Sequence, residues 1–168
     1  MKTYTRNYQT FELNELSDKA REKAIQYIID TSGYDDWWDD IFENAKNIGL
    51  KIEEFDFYGK NIKGCLIEDA CGCAHLIIDN HDKLCKTYQT AKNFIKEYND
   101  GLVTEEEERI IDGKLEQCKD LFKHALLEDF LAILHKEYEY ITSEECAVDT
   151  IETNDYEFLA DGTIFYSN

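Results

Sequence analysis

The sequence predicts an α+β fold, with one domain over residues 1–168 in which several helices pack on a small, mostly antiparallel sheet. Three observations predict it. Stretches of alternating apolar residues, typical of strands, lie near the start, in the middle and at the end of the chain. Stretches with apolar residues three and four apart, typical of helices, fill the rest. The chain of 168 residues shows no repeat, linker or low-complexity tract, so its length suits one domain.

The chain begins with a predicted strand and helix. Residues 2–13 alternate loosely and favour one strand, or two short strands with a turn near Asn7. Ser17 is a good N-cap, and the apolar residues after it recur at helical spacing. We therefore expect the first helix over residues 17–30.

The second helix is predicted over YDDWWDDIFENAKNIG, residues 34–49. At 100° per residue, its apolar side chains fall within one arc and its acids fall within the opposite arc. Trp37 and Trp38 lie on the apolar arc, so we expect both in the core. Gly49 suits the C′ position that ends a helix.

The middle of the chain is predicted to hold two strands and two short helices. LKIEEFDFY and IKGCLIE, residues 50–58 and 62–68, are typical of strands. DACGCAHLIIDN, residues 69–80, and TYQTAKNFIKEYND, residues 87–100, are typical of helices, and Gly101 is expected to end the second.

A long central helix is predicted from Thr104 to about Tyr140. Thr104 suits its N-cap, and the acids that follow suit its positive end. Gly113 weakens the early part and allows a break there. Between Leu121 and Leu134 the helix is apolar on nearly every side, so we expect it to be buried.

The C-terminal part is predicted to form one more helix and a hairpin. Ser143 suits the N-cap of the helix in TSEECAVDTIETN, residues 142–154. The tail YEFLADGTIFYS is expected to form two strands around Asp161-Gly162, a strong turn signal.

The charge of the chain is strongly negative. It has 37 acidic and 18 basic residues, which gives a net charge of −19. The electric field of such a charge repels nucleic acid and anionic membranes and attracts basic protein surfaces. The alternative is that the acidity only keeps the protein soluble. We expect no direct nucleic-acid binding and no membrane contact.

The expected location is the cytoplasm. The N-terminal stretch has no apolar core of signal-peptide length, and no apolar run approaches about 18 residues. In a reducing compartment the six cysteines are expected to stay free thiols.

The cysteine-rich segment between Cys65 and Cys85 suggests a metal site only weakly. Its closest cysteines, Cys71 and Cys73, are spaced as C-x-C, whereas zinc sites pair ligands as C-x₂₋₄-C. On a helix these two side chains point about 200° apart. We therefore expect buried thiols and no cofactor, while metal binding by the segment stays open.

No catalytic motif supports an enzyme. The sequence lacks a nucleophile elbow, a phosphate loop, a dinucleotide fingerprint and H-E-x-x-H. Asp79, His81 and Asp82 are explained by turn chemistry, since their spacing does not match a calcium loop. His124 in the long helix is expected to be a solvated or core-edge histidine and not a base. The chain is therefore predicted not to be an enzyme.

The acids of the second helix are the candidate partner-binding site. Residues four apart on a helix lie about 6 Å apart along its axis, and duplex DNA presents a phosphate every ~3.4 Å per strand. Two such rows of carboxylates are therefore predicted to mimic a short stretch of DNA backbone and to bind an Arg- and Lys-lined groove. The rows are Asp35, Asp39 and Glu43, and Asp36 and Asp40, and acids of the next strand extend them: Glu53, Glu54 and Asp56.

Other functions remain open beside the DNA mimic. The acids of the second helix are equally those of an ordinary solvated face. An antitoxin-like or regulatory protein would bind a toxin or a phage enzyme through apolar contacts. A metal- or thiol-dependent enzyme would use the segment from Cys65 to Cys85. A homodimer through exposed tyrosines is a further expectation.

The order of segments resembles a group of small acidic phage and prophage proteins. FELNELSDKAREKAIQYI, DDWWDDIFENAKNIGLKIEEFDF, CKTYQTAKNFIKEY and KEYEYITSEECAVDTIETNDYEFLADG carry the resemblance, which covers most of the chain. It implies a phage-encoded protein of the host bacterial cytoplasm and brings no catalytic residue with it. By analogy with anti-CRISPR proteins, it implies an inhibitor that blocks the DNA-binding groove of a CRISPR effector nuclease or its guide complex.

Overall fold

The computed structural model describes residues 7–32, 35–102 and 108–166. The chain divides into two compact units, Met1–Asp35 with Glu137–Asn168 and Asp36–Lys136. The prediction of one domain stays a prediction. The α+β class is confirmed, since the described residues form a 3₁₀ turn, six α-helices and two strands. The 3₁₀ turn is Leu13–Glu15, the helices are α1 (Asp18–Thr31), α2 (Asp39–Asn47), α3 (Ala70–Asn80), α4 (Lys86–Leu102), α5 (Glu108–Ile141) and α6 (Glu144–Thr153), and the strands are β1 (Leu50–Asp56) and β2 (Asn61–Leu66).

In the first unit, α1 and α6 pack around a small apolar core. Ala24, Ile28 and Ile151 are among its buried residues. Ser17 stands at the predicted N-cap of α1, although its side chain makes no capping bond. The Ser143 hydroxyl accepts a 3.1 Å hydrogen bond from the Cys146 amide, which confirms the predicted cap of α6.

The predicted terminal strands of this unit are reduced to single bridges. Phe158 pairs antiparallel with both Phe11 and Ile164, and both pairings are isolated. The turn is as predicted, since Gly162 has a φ of +81°. Within the described residues 7–13 only Phe11 pairs with another segment, so the predicted strand is wrong for the others. A 3₁₀ turn begins at Leu13. Residues 2–6 lie outside the described part.

In the second unit, β1 and β2 form the predicted antiparallel pair, and a β-bulge decides which side chains reach the core. The ladder steps from Ile52 to Glu54 on β1 while β2 advances by one residue, so Glu53 is the extra residue. Leu50 and Ile52 therefore share a face with Phe55, three positions further on. Without the bulge, strict alternation would turn Phe55 away from the core.

The helices of the second unit follow the predicted order with two corrections. Helix α2 begins at Asp39 and not at residue 34, because the residues before it form a turn and Asp36 has a φ of +61°. Gly49, with a φ of +83°, ends it as predicted. Helix α3 is confirmed, and α4 continues through Gly101 to Leu102.

The long helix α5 is confirmed. The break that Gly113 would allow does not occur in its described residues, and the expected cap Thr104 lies outside the described part. The expectation that the helix is buried is wrong. Its residues are not buried on all sides. Phe130 and Leu134 are fully buried, whereas Leu121 is 60% exposed and Ile133 is 38% exposed. The core covers one side of the helix only.

Candidate functional site

The predicted acids of the second helix lie on a turn followed by a helix. Asp36, Asp39, Asp40 and Glu43 are exposed members of the second unit, and we call these four the α2 acidic surface. Asp35, also exposed, precedes it as the last residue of the first unit. The two predicted helical rows are wrong in their first members. Only Asp39 and Glu43 are four apart within α2, because the helix starts at Asp39.

The carboxylates of the α2 acidic surface have no counter-ion among the residues that the structure describes. Within the described part of the chain, none of these side chains, nor that of Asp35, takes part in an ion pair or a hydrogen bond. Lys46 is the basic residue of the last turn of α2. Asp39 and Glu43, four apart on α2, repel each other by a few tenths of a kcal/mol. The helix dipole offsets part of this cost, because Asp39 and Asp40 lie in the first turn of α2.

Two half-buried tryptophans lie within this group of acids. The Phe55 ring centroid is 6.1 Å from that of Trp37 and 5.6 Å from that of Trp38, both edge-on. Phe42 of α2 contacts the same ring at 5.8 Å. The tryptophans therefore pack at the margin of the core and keep part of each ring in solvent, instead of lying inside it as the sequence predicted.

The acids of β1 lie on the other side of the ribbon from Phe55. Glu54 pairs across the ladder with Lys63, whereas Phe55 pairs with Ile62, and neighbouring pairs face opposite ways. The Lys63 ammonium lies 2.8 Å from the Glu54 carboxylate, and this hydrogen bond and charge raise the pKa of Lys63. Glu54 is therefore already paired within the chain.

Glu53 and Asp56 also have partners within the chain. The Glu53 carboxylate lies 3.2 Å from the Lys51 ammonium. The Asp56 carboxylate accepts hydrogen bonds from the amides of Tyr58, at 3.1 Å, and Gly59, at 2.9 Å. The β1 acids thus have partners within their own hairpin, whereas the acids of α2 have none among the described residues.

The cysteine-rich segment forms no metal centre in the described part of the chain. No three of its potential ligands converge there. Cys73 is fully buried in α3, and burial, followed by the charges of Asp69 and Glu68, raises the pKa of its thiol to about 12. His81 bonds the Thr87 hydroxyl at 2.7 Å through Nδ1, and burial lowers the pKa of its imidazole.

A groove that the sequence did not predict lies between the α3–α4 loop and α5. It encloses about 890 Å³, and its lining includes Leu84, Asp129, Ile133 and Lys136. Leu84 could have indicated this groove from the sequence. It is an isolated leucine in a polar loop, without apolar neighbours at the spacing of a buried helix or strand face. Ile133 was hidden by the assumption that an apolar helix is buried on every side.

The comparisons with known proteins assign no family and no function to this chain. No protein-family model, curated protein or solved structure matches this chain. No helix within the described residues combines the length and the apolar character needed to cross a membrane.

Proposed function

We propose that this chain is a non-enzymatic binding protein that inhibits a nucleic-acid-binding protein by occupying its basic groove. The α2 acidic surface, with Asp35 before it, takes the place of the nucleic-acid backbone. One observation carries the proposal. Among the described residues, the four carboxylates of the α2 acidic surface lie beside two half-exposed tryptophans without an ion pair, whereas Glu53 and Glu54 of β1 each have a lysine partner.

The chemistry of this surface suits an arginine-rich partner. Charge-assisted hydrogen bonds from guanidinium groups to carboxylates are about twice as strong as neutral ones, and they are directional. Trp37 and Trp38 are half-exposed beside these acids, and a cation–π contact with an indole ring is worth roughly 0.5–2 kcal/mol. The net charge of −19 accelerates encounter with a basic groove.

The first candidate partner is a guide-loaded CRISPR effector nuclease. The resemblance to small acidic phage proteins supports a location in the host bacterial cytoplasm, where such effectors act. Their grooves hold a nucleic-acid duplex through Lys and Arg contacts to its backbone. An acidic inhibitor of this kind binds the protein and does not bind nucleic acid itself.

The test is DNA binding by a panel of guide-loaded effectors with this protein titrated in. The decisive variant replaces four aspartates by asparagine, which keeps shape and removes charge: Asp35→Asn, Asp36→Asn, Asp39→Asn and Asp40→Asn. We expect the parent to block DNA binding by at least one effector and the variant to lose that effect.

A matched control separates local recognition from general acidity. It also removes four negative charges, from exposed acids of the first unit: Glu137→Gln, Glu139→Gln, Asp149→Asn and Glu152→Gln. We expect this control to inhibit like the parent. Equal loss in both variants would reduce the effect to net charge, and no inhibition of any effector would reject this partner class.

A second variant addresses β1. Because Glu53, Glu54 and Asp56 already have partners within the chain, neutralising all three is expected to weaken inhibition less than the four-asparagine substitution does.

The inhibitory complex is also expected to weaken steeply as salt rises, since exposed charges are screened. A complex insensitive to salt would contradict a carboxylate-driven contact.

A further inference from the structure

The groove between the α3–α4 loop and α5 carries two exposed apolar side chains. Leu84 is 94% exposed and Ile133 is 38% exposed. Both line a concavity of about 890 Å³ within the second unit. Exposed apolar side chains beside a concave, partly apolar surface are typical of an interaction site.

Leu84 is presented by a fixed turn. Its amide donates a 2.8 Å hydrogen bond to the Asp82 carboxylate, and the Cys85 amide donates a 2.9 Å hydrogen bond to the Asp82 carbonyl. These bonds hold the backbone on both sides of the leucine. The turn therefore presents an apolar side chain at little cost in backbone entropy on binding.

The charges of the groove are balanced, unlike those of the whole chain. Its lining has two carboxylates, Asp82 and Asp129, and two ammonium groups, Lys86 and Lys136. Asp129 is held by Lys86 at 2.9 Å and by the Thr90 hydroxyl at 2.6 Å. In a chain of net charge −19, this surface allows two copies to meet with little local repulsion.

We propose that this groove is the interface of a homodimer with two-fold symmetry, in which Leu84 of each copy enters the groove of the other. In such an interface one patch meets itself, so it must be self-complementary. This patch contains a projecting leucine, a cavity to receive one, and equal numbers of opposite charges. Ala132 and Ile133 on α5 supply the apolar wall that the incoming leucine contacts.

Sedimentation equilibrium over a wide concentration series tests the interface. We expect the parent to dimerise and Leu84→Ser to raise the dimer dissociation constant at least tenfold. Ala132→Glu should also raise the dimer dissociation constant, because it adds a charge to the apolar wall while glutamate remains a good helix former. Leu121→Ser is the control, because Leu121 is 60% exposed on the same helix but does not line the groove. Circular dichroism verifies that each variant is folded.

Salt dependence separates this proposal from the proposed function. Each copy carries a charge of −19, so the repulsion between copies is screened and the dimer should tighten as salt rises. The inhibitory complex should weaken instead. A monomer at every concentration and salt level would overturn the proposal. Equal dimerisation by Leu84→Ser and the parent would also overturn it, because association would then use another surface.

Discussion

The ammonium of Lys86 lies 2.9 Å from the carboxylate of Asp129, although the lysine side chain is 73% exposed and the aspartate side chain only 2%. Thr90 donates to the other oxygen of the same carboxylate. A buried charge is therefore neutralised by an amine that reaches it from solvent. This ion pair connects the start of α4 with the middle of α5.

Lys86→Met is expected to lower the free energy of unfolding by about 1–3 kcal/mol, because it leaves a buried carboxylate with a hydroxyl as its remaining partner. Urea unfolding measures the change. Adding Asp129→Asn should restore part of the loss, since the uncompensated charge is then absent. Lys83→Met, in the loop just before α4 and without an ion pair among the described residues, is expected to change stability by less than about 0.5 kcal/mol.

Two glycines are expected to respond to alanine with opposite signs. Gly162 has a φ of +81°, and an added Cβ would meet the backbone carbonyl oxygen of Ala20. Gly162→Ala should therefore destabilise the protein by more than about 1 kcal/mol. Gly113 lies in α5 with nothing within 4 Å of an added Cβ, so Gly113→Ala should stabilise by about 0.5–1 kcal/mol. Equal signs in urea unfolding would contradict this account.

The cysteines are expected to react with alkylating reagents in order of exposure. Cys85 is exposed, whereas Cys73 is fully buried and its thiol pKa is raised to about 12. At pH 8 the Cys73 thiol would therefore stay protonated, and the thiolate is the reactive form. Mass spectrometry after brief iodoacetamide treatment should find Cys85 modified and Cys73 intact, with Cys73 reacting once denaturant is added. Early labelling of Cys73 in folded protein would show that α3 opens readily.

The carboxyl of Asp161 is expected to titrate unusually low. Hydrogen bonds from the Lys23 ammonium and from the hydroxyl and amide of Thr163 lower its pKa from 3.8 to about 2. The ionised form thus favours the folded state above about pH 3.8, and this contribution is lost as the pH falls towards 2. Carboxyl NMR titration measures the pKa. Lys23→Gln should raise it, and Lys19→Gln, on the same helix, should leave it unchanged.

Sequence alone determined those elements whose signals are local. Ser143 caps α6 and Gly49 ends α2, because a cap or a left-handed residue depends on a few neighbouring backbone groups. The exposed acids around Trp37 and Trp38 were also identified from sequence, since like charges near one another in the chain have few ways to be buried.

Tertiary structure decided which of these acids are unpaired. Glu54 is paired because the ladder places Lys63 opposite it, nine residues away. The bulge at Glu53, which keeps Phe55 on the core face, depends on the register between two strands and not on either strand alone.

The start of α2 and the groove were likewise set by contacts that sequence spacing does not contain. The stretch DDWWDD fits a helical arc, but both tryptophans pack on Phe55 from a turn before the helix. Thr90 and Asp129, 39 residues apart, meet only because α4 and α5 pack together. Local preferences reach a few residues along the chain, whereas burial and pairing depend on which distant segments the fold brings into contact.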